Sequence, residues 1–113
     1  YKAARAAWPD SQIALFALGN NYLLQARYRE AALAFGELLV INPEHVAAAN
    51  NLAEVLAKRG CYSQACAVIS QAVKIAKRIG SPLTETVILT QQEISQQLNQ
   101  TEPGEDRACS DHQ

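Results

Sequence analysis

Residues 18–35, LGNNYLLQARYREAALAF, return 34 positions later as LAEVLAKRGCYSQACAVI at residues 52–69. Few letters coincide, yet the chemistry repeats: Leu18 pairs with Leu52, Gly19 with Ala53, Tyr22 with Leu56, Tyr28 with Tyr62, and Ala31 with Ala65. The interval extends outward, since Tyr1, Phe35 and Ile69 are spaced by 34, as are Ala4, Leu38 and Ala72. A period of that length holding two helical patterns is the mark of stacked helix-turn-helix units. One such unit cannot bury its apolar face alone, so units stack and leave an extended surface. The expected fold class is all-α, and the expected role is to hold a partner rather than to carry out chemistry.

The punctuation between the patterns sets the units. Residues 1–9 read as the second-helix remnant of a truncated preceding unit, with Pro9 ending it and Asp10 or Ser11 capping the next helix. The first full unit spans 10–44. Its first helix runs from Ser11 to Gln25, with Ile13, Leu15, Leu18, Tyr22 and Leu24 at the spacing of a buried stripe. After Ala26 and Arg27, its second helix covers Tyr28 to Ile41, turns Ala31, Phe35 and Leu38 inward, and stops at Asn42-Pro43. The second unit, 45–80, opens on a helix expected from Glu44 to Arg59, with Leu52, Val55 and Leu56 inside. Gly60 suits the left-handed closing residue. Its second helix, from Cys61 or Tyr62 to Ile79, buries Ala65, Ile69, Ala72 and Val73. Gly80-Ser81-Pro82 ends that helix and caps a last one, Pro82 to Asn99, which presents Leu83, Val87, Ile94 and Leu98 on one face. With one apolar and one polar face, residues 81–99 suit a lid on the stack. Residues 100–113 lack any apolar period and are expected as a disordered tail.

Composition narrows the function. The chain of 113 residues is 49% apolar and 19% charged, enough to pack a single modest core. Ten basic against eleven acidic side chains leave a net charge of −1, so no positive field exists to attract nucleic acid. No apolar run approaches the roughly 20 residues of a membrane span. Cys61, Cys66 and Cys109 cannot all pair within one chain; they read as two packing thiols and one tail thiol, which favours a reducing, cytoplasmic setting.

Leu15, Leu18-Gly19, Tyr22, Ala31, Phe35 and Pro43 resemble the tetratricopeptide repeat (TPR) pattern, and so do Leu52-Ala53, Leu56, Tyr62, Ala65 and Ala72. The second unit departs from it at Lys77, where Pro9 and Pro43 set the phase for proline. The resemblance implies a helix-turn-helix solenoid of a half repeat, two full repeats and a C-terminal capping helix. A narrower likeness joins Ala-Ala-Trp-Pro-Asp-Ser, Asn-Asn-Leu-Ala and Gly-Ser-Pro-Leu to the C-terminal repeat region of some bacterial C39-like cysteine peptidases, which implies a catalytic domain upstream. Gly19 and Ala53 are small where two helices of one unit are expected to cross closely, and Tyr22 and Phe35 are bulky where the crossing opens.

In such a solenoid the first helices line the concave side. The candidate ligand-binding residues are Ile13, Phe16, Asn20 and Leu24 in the first unit and Asn50, Asn51, Glu54 and Lys58 in the second. Ala47 joins them, as do Thr84, Glu85 and Ile88 in the lid. Asn20 and Asn51 are similar to the asparagine pair of carboxylate-clamp repeat domains, where an amide offers donor and acceptor to an extended peptide. The cations that complete a clamp are missing, because Phe16, Ser81 and Glu85 hold those places. Terminal carboxylate capture is therefore not expected, and Phe16 is the expected apolar anchor.

Catalysis is not expected. Cys61 and His45 lack an orienting third group, no His or Cys cluster has metal-ligand spacing, and Gly36 belongs to no phosphate loop. No cofactor is called for. The expected partner is a protein or peptide. The alternatives are an accessory segment that positions an upstream domain, and homo-oligomerisation through an apolar end at Tyr1, Ala4 and Ala7.

Overall fold

The computed structural model describes residues 9–100, with side chains from Ser11 onward, and these form five α-helices without a strand. They are α1 (Pro9–Leu24), α2 (Tyr28–Ile41), α3 (Val46–Lys58), α4 (Tyr62–Ile79) and α5 (Thr84–Gln100). Each helix packs on the next, and α3 also touches α5. The all-α class is met, and α2 has the very bounds expected from sequence. The expectations for Tyr1–Trp8 and for residues 101–113 lie outside the described residues.

Turn chemistry closes the helices. Gly60 and Gly80 stand at φ 83° and 66°, the left-handed region open to a residue without a β-carbon. Across the first of these turns the Cys61 amide donates to the Leu56 carbonyl and the Gly60 amide to Ala57. The same two bonds occur 34 residues earlier, from Arg27 to Tyr22 and from Ala26 to Leu23. Both pairs are the Schellman arrangement that satisfies orphan carbonyls at a helix end. Ser81 accepts from the Leu83 amide at 3.0 Å, as a capping hydroxyl does.

The core divides between two joined clusters. Phe35 and Leu38 from α2, with Val55 from α3, are fully buried in one. Ile69, Ala72 and Ala76 from α4 meet Val87 and Ile94 from α5 in the other. Alanine supplies much of this interior, letting the helices approach closely. At the α1–α2 crossing, a β-carbon on Gly19 would sit 2.5 Å from Cε1 of Phe35.

Several expectations are corrected. α1 begins at Pro9, two residues ahead of the expected start at Ser11, which agrees with the preference for proline in a first turn. The α1 stripe is narrower than its spacing implies: Leu15 is buried, while Leu18 is 42% exposed, Ile13 70% and Leu24 86%. Leu18 faces the outer edge of the first unit, where no described helix covers it; its counterpart Leu52 packs against both clusters. Phe35 does not sit where the crossing opens, because its ring lies directly on Gly19. Cys61 is disulfide-bonded, which corrects its reading as a packing thiol and weakens the ground for a reducing compartment, while Cys66 is a free thiol as expected; the reading of Cys109 lies outside the described residues. Among the described residues no helix is long and apolar enough to cross a membrane.

Candidate functional site

α1 and α3 are tied side by side by polar and aromatic contacts. The Asn51 amide nitrogen donates to the Asn20 amide oxygen at 2.9 Å. The Phe16 ring lies 5.2 Å from the His45 ring and 6.0 Å from Phe35, separations typical of favourable ring pairs. His45 is fixed in turn, since its Nδ1 accepts from the Ala48 amide at 3.1 Å as the cap of α3. These contacts hold Phe16 half-buried at the floor of an open depression of about 510 Å³, walled by Ile13, Ala17, Asn20 and His45.

The two asparagines satisfy one another by a single bond. That bond engages one NH2 group and one amide oxygen, and it leaves the other NH2 group and the other oxygen of the pair available whichever way each amide is turned. A peptide group offers the complementary set.

A second depression, about 270 Å³, lies between α3 and α5 and is lined chiefly by polar groups, among them Glu54, Lys58, Tyr62, Thr90, Glu93 and Gln97. Burial, and after it the negative charge of Glu93, pushes the Glu54 carboxyl above its ordinary value, with Lys58 acting in the opposite direction. Asn50 is buried and donates to Glu54 Oε1 at 3.2 Å. Its own oxygen, Oδ1, is buried without a hydrogen-bond partner.

The eight candidate residues therefore divide. Ile13, Phe16 and Asn20 share the first depression, with Asn51 bonded to its wall, while Glu54 and Lys58 share the second. Leu24 lines neither, because it closes α1 beyond the aromatic contact, and Asn50 turns into the interior. In the lid, Thr84 is engaged locally, donating to the Ser81 carbonyl at 2.7 Å. Ile88 is half-buried against the second cluster, and Glu85 is exposed. Sequence reasoning missed His45 as a wall of the first depression and Glu93 as the facing carboxylate of the second. The position of His45 just after Asn42-Pro43, ahead of an apolar helix, was the available signal for a cap.

No family model, curated protein or solved structure matches this chain. The functional reading consequently rests on the geometry above. Among the described residues no group of three or more His, Cys, Asp or Glu side chains could hold a metal ion.

Proposed function

We propose that this chain is a non-catalytic binding module for an extended peptide or protein segment, which it takes along the side built from α1, α3 and α5, the concave side of a TPR-type solenoid. The observation that carries this reading is the Asn20–Asn51 bond beside the Phe16 floor. The pair keeps a free donor and acceptor for a peptide group, and the adjacent aromatic depression accepts an apolar side chain. An aromatic anchor already packed in place loses little freedom on binding, which favours affinity.

The test is affinity capture from the source lysate with the wild-type chain and the Phe16→Ala/Asn51→Ala variant, followed by quantitative mass spectrometry. A protein enriched on the wild type and lost on a variant with unchanged helical circular dichroism supports the reading. Identical recoveries on both baits would sink it.

A further inference from the structure

A second surface lies between α2 and α4. Two hollows of about 440 and 360 Å³ share Ala67 and Val68 as a common wall, so they form one continuous groove. The first hollow includes Arg29 and Leu33 near the start of α2 and Gln64 near the start of α4. The second includes Leu39 and Pro43 at the end of α2 and Ile75 toward the end of α4. Starts meet starts and ends meet ends, so α2 and α4 run in the same direction along the two banks. α3 forms the floor through Ala49, Leu52 and Leu56. No lining residue is shared with the Phe16 depression.

We propose that this groove docks an amphipathic partner helix of about three turns that carries acidic side chains at one end. Length, shape and charge each point to that occupant. On α4 the bank runs through Gln64, Ala67, Val68, Gln71 and Ile75, a single helical face about 16 Å long at 1.5 Å per residue. A helix of roughly 11 to 14 residues has the same span. The walls are mostly aliphatic, and Ala32, Ala67 and Ala72 keep them low enough for another backbone to approach, as in other helix-in-groove complexes.

Charge fixes the polarity of the fit. Arg29 and Arg59 flank the end at which α2 and α4 begin, and neither forms an ion pair among the described residues. The two helix N-termini add partial positive charge at that end. Among the described residues no acidic side chain lines the groove. A carboxylate-bearing helix end placed there would find both guanidinium groups, while a basic end would meet like charge.

The test is selection of the full chain against a displayed library of helix-forming 14-residue peptides, followed by fluorescence anisotropy on the enriched sequences. The expected winners carry aliphatic residues at helical spacing and Asp or Glu in one terminal turn. Ala67→Glu, an exposed position, should weaken them at least tenfold with circular dichroism unchanged, and Arg29→Glu/Arg59→Glu should do the same. Phe16→Ala should leave them bound, which separates this groove from the proposed peptide site. No enrichment, winners without an acidic end, or winners that tolerate Ala67→Glu would overturn the proposal. So would a wild-type dimer in sedimentation that Ala67→Glu converts to monomer, since the occupant would then be a second copy of the chain.

Discussion

At residue scale, Gly19 lies so close to Phe35 that a β-carbon would overlap the ring, while the same two phases in the second unit hold Ala53 and Ile69, both fully buried. Small stands with large in one unit, and intermediate with intermediate in the other. Gly19→Ala should gain up to about 1 kcal/mol of helix propensity. Against that, the fully buried ring has nowhere to swing, and overpacking costs about 1–3 kcal/mol, so net destabilisation is expected. Phe35→Ile alone should also destabilise, by leaving a gap. The double variant recreates the second unit's pair and should be more stable than the sum of the singles by about 1 kcal/mol or more. Urea midpoints of the four proteins decide this, and strict additivity would count against size matching.

Glu54 supplies a pH prediction. Its carboxyl is raised in the fold by burial first and by Glu93 second, so the native state holds a proton that the unfolded state has already released. Stability attributable to this group should fall as pH rises from its ordinary value of 4.5 through the raised native value. Glu54→Gln keeps an acceptor for the Asn50 amide and removes the charge. Its expected result is a flatter stability curve above pH 4.5 and a gain at neutral pH, read from chemical denaturation across pH. A curve that keeps its slope would assign the dependence to other groups.

At the scale of elements, the turns after α1 and α3 make the same hydrogen bonds, but one uses Ala26 at φ 58° where the other uses Gly60 at φ 83°. An L-residue with a β-carbon is strained there by about 1–2 kcal/mol, partly offset by the greater unfolded-state freedom of glycine. Ala26→Gly should therefore stabilise by about 0.5–1 kcal/mol, and Gly60→Ala should destabilise by a similar amount. Paired thermal melts check both signs. In α5, Ile94 is 3% exposed within the cluster that also holds Ile69 and Ala72. Ile94→Ala should cost about 2–4 kcal/mol, whereas Leu89→Ala, at a position 59% exposed, should change little.

At the scale of the whole molecule, α5 closes a core that α3 and α4 leave open. Val87 and Ile94 cover Ile69, Ala72, Val73 and Ala76, and α5 meets both α4 and α3. A chain ending at Gly80 should expose that face, unfold over a broader and lower denaturant range, and bind hydrophobic dyes. A sharp transition at the wild-type midpoint would show that α5 is dispensable to the core. In the repeating units, small residues and aromatics recurring at 34, with a glycine closing α3 and Gly80 closing α4, determined the helix count, the boundaries to within about two residues, and the inward faces of α2 and α4. These are local matters of dihedral freedom and helical period, which a chain carries in its own order. Only the tertiary structure decided that Asn20 and Asn51 bond each other, that Glu54 faces Glu93, that His45 walls a depression, and that Leu52 is packed between two clusters while no described helix covers Leu18. Each of those depends on which helices stand side by side and at what distance, and residues 31 or 39 positions apart record no such distance in their sequence.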